Sequence, residues 1–111
     1  MQFAKDIVDV LEEKKGEDIL LLDVRALSPF TDYFVICSGA SNRTLQALVE
    51  AAREMAHKTY QQASRVEGRP QDGWLLVDFG DVVLHVFSPD QRAYYQLEEL
   101  WREAHVVLHL Q

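Results

Sequence analysis

The apolar positions of this chain change period several times, and each change predicts an element. Phe3, Ala4, Ile7, Val8 and Leu11 recur at the spacing of one helical face, with Lys5, Asp6, Asp9, Glu12 and Glu13 off it. Gly16 follows as a natural helix stop. Ile19 to Val24 is a short apolar run and predicts a buried strand. Pro29 fixes its own φ and restricts Ser28, so Ser28 to Asp32 predicts a turn. Tyr33 to Cys37, aromatic and β-branched, predicts a second strand. Ser41 or Asn42 then caps the clearest helix of the chain. Leu45, Leu48, Val49, Ala52, Met55, Ala56 and Thr59 share its inner face, opposite Arg43, Gln46, Glu50, Arg53 and His57. Glu54 and Lys58 stand four apart, placed for a surface ion pair.

After Tyr60 the chain turns polar, and Gly68, Pro70 and Gly73 predict a loop of roughly ten residues. Trp74 to Phe79 and Val82 to Phe87 flank Gly80-Asp81 and predict a hairpin. Ser88-Pro89-Asp90-Gln91 predicts a helix start: Ser88 as cap, Pro89 at the first helical position, Gln91 closing a capping box. That helix is expected to run to about Trp101, with Tyr94, Leu97, Leu100 and Trp101 inward. His105 to Leu110 reads equally as a last strand or as a docked extension. The order predicts one α/β domain over residues 1–111, a mixed sheet packed with helices, with 102–111 as a C-terminal extension.

Composition narrows the class. A hydrophobic share of 48% in 111 residues supports one modest core and argues against disorder. No apolar run reaches the length of a membrane span, and the N-terminus lacks the layout of a secretory signal. A single cysteine, Cys37, allows neither an internal disulfide nor a thiolate metal cluster. A cytoplasmic protein of a reducing compartment is expected. Eighteen acidic against eleven basic residues give a net charge of −7, which disfavours phosphate backbones and suits a basic protein partner.

Most constellations that carry chemistry elsewhere read as structure here. Asp78 and Asp81 flank the hairpin turn, where Asp serves backbone hydrogen bonding more often than metal. Ser38-Gly39-Ala40-Ser41 joins a strand to a helix, as phosphate loops do, but it has one glycine and no Lys-Ser/Thr ending. It resembles the Gly-Ser loop of nucleotidyltransferases, which need alternating acids just afterwards; Arg43, Thr44 and Leu45 stand there. His105 and His109 have a zinc-like spacing on a helix but sit in a strand-like segment, and His85 reads as a hydrogen-bonded core residue. Cys37 reads as a small buried hydrophobe. No metal and no cofactor are expected. What remains is a concentration of amphipathic aromatics, Trp74, Phe79, Tyr94, Tyr95 and Trp101. Trp101 reads as core, whereas Trp74, opening a strand after a polar loop, stands between core and interface anchor.

Residues Asp32 to Arg43 (Asp-Tyr-Phe-Val-Ile-Cys-Ser-Gly-Ala-Ser-Asn-Arg) resemble the strand-loop-helix signature of the ribosomal silencing factors, the iojap-related family. So does Trp74 to Phe87, followed by Arg92, Tyr95, Leu97-Glu98 and Leu100-Trp101, with Glu67-Gly68 ahead of the hairpin. The resemblance implies a fold related to nucleotidyltransferases without their catalytic acids, and no enzymatic activity. It further implies binding to the large ribosomal subunit through ribosomal protein fourteen, blocking small-subunit joining and lowering translation when nutrients are scarce. Trp74, Asp78, Phe79, Arg92 and Tyr95 are the implied contact residues, and self-association into a homodimer is a further implied property. Two readings from other classes stay open: a nucleotide-binding enzyme using Ser38, Gly39 and Ser41 with Asp78 and Asp81, and a plain homodimerisation module.

Overall fold

The computed structural model describes residues 1–111. Helix α1 (Gln2–Glu13) buries Ala4, Ile7, Val8 and Leu11, the stripe its spacing predicts. The left-handed residue that ends it is Lys15 (φ 70°), and the Gly16 N–H then closes on the Leu11 carbonyl at 2.7 Å. Strand β1 (Glu17–Asp23) and strand β2 (Tyr33–Ser38) pair antiparallel across the Pro29 turn. Helix α2 (Asn42–Tyr60) is capped by Ser41, whose hydroxyl accepts from the Thr44 N–H at 3.1 Å. Its inner face holds Leu45, Leu48, Val49, Ala52 and Ala56, while Thr59 at the last turn is exposed. Lys58 and Glu54 pair at 2.9 Å, as their spacing predicts.

The loop expected after Tyr60 contains a strand, β3 (Arg65–Arg69), and a 3-10 turn (Pro70–Asp72). β3 is an edge strand in which only Val66 is part-buried, so its sequence carries no apolar alternation to announce it. It pairs antiparallel with β4 (Trp74–Asp78), which forms the expected hairpin with β5 (Val82–Phe87). Gly68 and Gly73 shape this corner. At Gly68 (φ 94°) an added Cβ would lie 2.3 Å from the Trp74 carbonyl oxygen, and at Gly73 (φ 76°) 2.6 Å from Gln91 Cγ.

The expected long last helix is two short ones. Helix α3 (Pro89–Tyr95) starts as predicted, with Ser88 Oγ accepting from the Gln91 N–H at 3.3 Å. The Ser88 N–H goes to the Gly73 carbonyl instead of to Gln91, so the capping box is not closed. Gln96 at φ 48° then breaks the helix, and α4 (Leu97–Leu100) follows as a separate short helix. Tyr94 and Leu100, expected inward, are consequently 78% and 75% exposed. His105–Leu110 is strand β6, paired antiparallel with β1.

The six strands order as β3-β4-β5-β2-β1-β6, with β2 and β5 the parallel pair, so the sheet is mixed as expected. α1 and α2 cover one face over a core that includes Leu21, Val35, Leu48, Val77, Leu84 and Val86. The opposite face buries Leu22, Phe34, Ile36 and Phe87 under Leu97 and Ala104, with Trp74, Val83 and Trp101 packed at its margin. The short helices leave the β3–β4 side of that face partly open. No helix is long and apolar enough to cross a membrane.

Candidate functional site

Strand alternation decides which side chains reach the open face. On β4, Trp74, Leu76 and Asp78 point away from α1 and α2, whereas Leu75 and Val77 point into the core. Register places Arg69, Glu67 and Arg65 of β3 opposite them in that order, and Phe87, His85 and Val83 of β5 on the other side. Directly paired residues share a face, so the three strands build one surface. Trp74, Leu76, Asp78 and Val83 are half-buried on it.

Trp74 is its centre. The indole packs on Phe87 at 4.9 Å and on Tyr95, the last residue of α3, at 4.6 Å between ring centroids. Its Nε1–H donates to His85 Nδ1 at 3.2 Å. Tyr95 is 45% exposed and carries Tyr94 edge-on at 5.1 Å. Between the two rings and β3 lies a shallow cavity of about 320 Å³ lined by Glu67, Gly68, Asp72, Trp74, Leu76 and Tyr95. An aromatic pair over an aliphatic floor with acids at the rim has the residue types that protein interfaces favour and little of the enclosure that small-molecule sites have.

Asp78 lies farther along the same strand face, outside the lining of this cavity. One oxygen accepts from the Gly80 N–H at 2.8 Å, the turn chemistry its position predicts, and the other faces Arg65 Nη2 at 3.5 Å. The Asp81 backbone carbonyl accepts from Asp32 N and Tyr33 N at 2.9 and 3.1 Å, and from Thr31 Oγ1 at 2.9 Å. This stitches the hairpin to the Pro29 turn.

Two of the five residues expected to make contact lie beneath the surface. Phe79 follows the alternation of Leu75 and Val77 into the core, 2% exposed and edge-on to Phe3 at 5.4 Å. It offers only its carbonyl, which accepts from Gln62 Nε2 at 2.8 Å. Arg92 is 7% exposed. Its Nη1 donates to the Asp18 carbonyl at 2.6 Å and to Ser38 Oγ at 3.1 Å, and its Nε to Glu98 Oε1 at 3.2 Å. Arg92 therefore clamps α3 and α4 to β1 and β2, holding Tyr95 in place from behind. Leu76, Val83, Glu67 and the two β3 arginines belong to the surface but were not among the expected contact residues. The alternation Trp74-Leu76-Asp78 carried the signal for Leu76; nothing local announced β3.

The groups of the nucleotide-binding reading are engaged internally. Ser38 Oγ is held by Arg92, Ser41 Oγ caps α2, and the Gly39 N–H donates to the Phe87 carbonyl at 2.9 Å. Burial pushes the Cys37 thiol up to about 12, so it keeps its proton at neutral pH. His109 Nε2 meets Asp18 Oδ1 at 2.6 Å on β6, and His105 stands opposite Asp23 in the register, so the two histidines have separate partners.

Comparison with known proteins gives concordant matches in sequence and in fold. The family model "Ribosomal silencing factor during starvation" matches residues 1–111, β6 included. The ribosomal silencing factor of Bacillus subtilis is 44% identical over 93 residues, 84% of this chain and 79% of that one. The mouse protein named for mitochondrial assembly of the ribosomal large subunit is 38% identical over 98 residues, 86% of this chain but 43% of its own. Among solved structures, a Chromobacterium violaceum protein superposes with a TM-score of 0.85 at 36% identity, covering 90% of this chain and 83% of that one.

Proposed function

This chain belongs to the family of ribosomal silencing factors, and from that membership we propose that it docks on the large ribosomal subunit through ribosomal protein fourteen. Bound there, it covers surface that the small subunit needs, and translation falls when nutrients are limiting. It works as a steric plug in the cytoplasm and catalyses nothing. The observation that carries this reading is the half-open aromatic surface of Trp74 and Tyr95, with Leu76 as floor, Glu67 and Asp72 at the rim, and Asp78 farther along the same strand face. Trp and Tyr on a rigid strand and helix end are the residue types that anchor protein interfaces at low entropic cost. The net charge of −7 favours encounter with a basic partner. The relative named for large-subunit assembly supports the choice of subunit.

The experiment is sedimentation of purified large subunits with the wild-type protein, Trp74→Ala and Tyr95→Ala. Wild type co-sediments, and each variant, folded by circular dichroism, binds about 30-fold more weakly, the equivalent of roughly 2 kcal/mol for an interface anchor. Wild-type binding that both variants match would move the contact surface elsewhere on the molecule. Absence of wild-type binding would end the docking reading.

A further inference from the structure

Trp74 is a large side chain at the first position of its strand, directly after left-handed Gly73, and it is half-buried. Its contacts with Phe87 and Tyr95 are ring-on-ring at 4.9 and 4.6 Å. Such contacts favour burial but tolerate sliding and rotation. The one directional restraint on the indole is the bond from its Nε1–H to His85 Nδ1 at 3.2 Å.

His85 is well placed to set that direction. It lies on β5, paired with Leu76 of β4 and Ile36 of β2, so the backbone on both sides of it is fixed by neighbouring strands. Its ring is 5% exposed, edge-on to Phe34 at 5.2 Å and parallel to Phe87 at 6.3 Å. A buried imidazole is costly in an apolar sheet face, and an aliphatic side chain would fill the space without that cost. The indole is the ring's side-chain hydrogen-bond partner, and accepting at Nδ1 puts the neutral ring's proton on Nε2.

We propose that His85 is a positioning residue for docking: its Nδ1 accepts the indole N–H and locks Trp74 in the orientation the partner meets. This rests on the reading of the Trp74 surface as the docking face. His85 itself stays beneath the surface and acts through Trp74.

Two substitutions separate the acceptor from the packing. His85→Asn keeps an acceptor near the place of Nδ1, and His85→Leu fills the volume without one. The readouts are the indole N–H signal of Trp74 in nitrogen-15 spectra, with its rate of solvent exchange, and affinity for large ribosomal subunits. Assignment uses Trp74→Phe, because Trp101 is the other indole. His85→Leu is expected to speed indole exchange and weaken binding about tenfold, the worth of one hydrogen bond, while His85→Asn restores both toward wild type. Wild-type exchange and affinity in His85→Leu would overturn the proposal. Equal losses in the two variants, both folded, would overturn it too, since packing alone would then matter. Should His85→Leu fail to fold, the wild-type ring decides. A proton on Nε2 with a protected Trp74 indole supports the proposal, and a proton on Nδ1 overturns it. Wild-type affinity in Trp74→Ala would overturn the docking face and the binding role of His85 together, while the indole signal would still report the bond.

Discussion

Single residues set both the shape of the aromatic surface and its sensitivity to acid. Gly68 holds a positive φ against the Trp74 carbonyl, and a methyl there meets backbone that cannot move without breaking the β3–β4 ladder. Gly68→Ala is expected to cost about 2 kcal/mol, read as a lower midpoint in urea unfolding, through strain at that φ and the clash. His85 supplies a second test. Burial holds its pKa down to about 4, against an ordinary value of 6.5. The unfolded chain therefore takes up a proton near 6.5 that the native ring refuses until about 4. Stability is full above 6.5, falls as the pH drops toward 4, and levels off below, a loss on the order of 3 kcal/mol. The difference between wild type and His85→Asn in urea unfolding across that window should show this slope; parallel curves would contradict it. From sequence His85 reads as a hydrogen-bonded core residue, and the structure agrees. Its partner was not legible, because Trp74 lies on another strand.

At the scale of elements, the strongest link is the Arg92 guanidinium, which joins α3 and α4 to β1 and β2 through Asp18, Ser38 and Glu98. Removing it strands Glu98, one of whose oxygens already has no hydrogen-bond partner. Arg92→Met is expected to cost about 3 kcal/mol, the lower end for a broken buried pair because Asp18 and Glu98 keep some solvent. Loosening of Tyr95 should follow, read as faster hydrogen exchange over Pro89–Tyr95 than over α2. The elements themselves were unevenly legible. α1, α2 and the hairpin followed from period and turn chemistry, since each buries a regular stripe or closes on a glycine turn. β3 did not: Arg65, Glu67 and Arg69 alternate with Val66 and Gly68, a pattern that a solvated edge strand shares with any polar loop. The break at Gln96 was hidden because Tyr94, Leu97, Leu100 and Trp101 keep helical spacing through it. No propensity forces glutamine to φ 48°; the bond from Arg92 to Glu98 across the break fits the tertiary demand that does.

For the whole molecule, the division of the sheet into a covered and a half-open face turns a string of aromatics into a surface. α1 and α2 cover most of one side, while two short helices cover less of the other, leaving Trp74 beside Tyr95. Trp74, Asp78 and Tyr95 were legible as candidates from their motif blocks. That Phe79 and Arg92 support the surface from beneath was not, since strand alternation past the turn and the path of a guanidinium are visible only in three dimensions. The acidic balance of the chain adds an expectation at this scale: association with large subunits should slow as salt rises, because the encounter is between opposite fields. Interference with subunit joining is directly testable. Large subunits are incubated with the protein, small subunits are added, and joined particles are resolved on a density gradient. Joined particles are expected to decrease as wild-type protein occupies the large subunits, and Trp74→Ala at equal concentration is expected to leave joining intact. Joined particles forming at their normal level while wild-type protein remains bound to them would contradict this expectation.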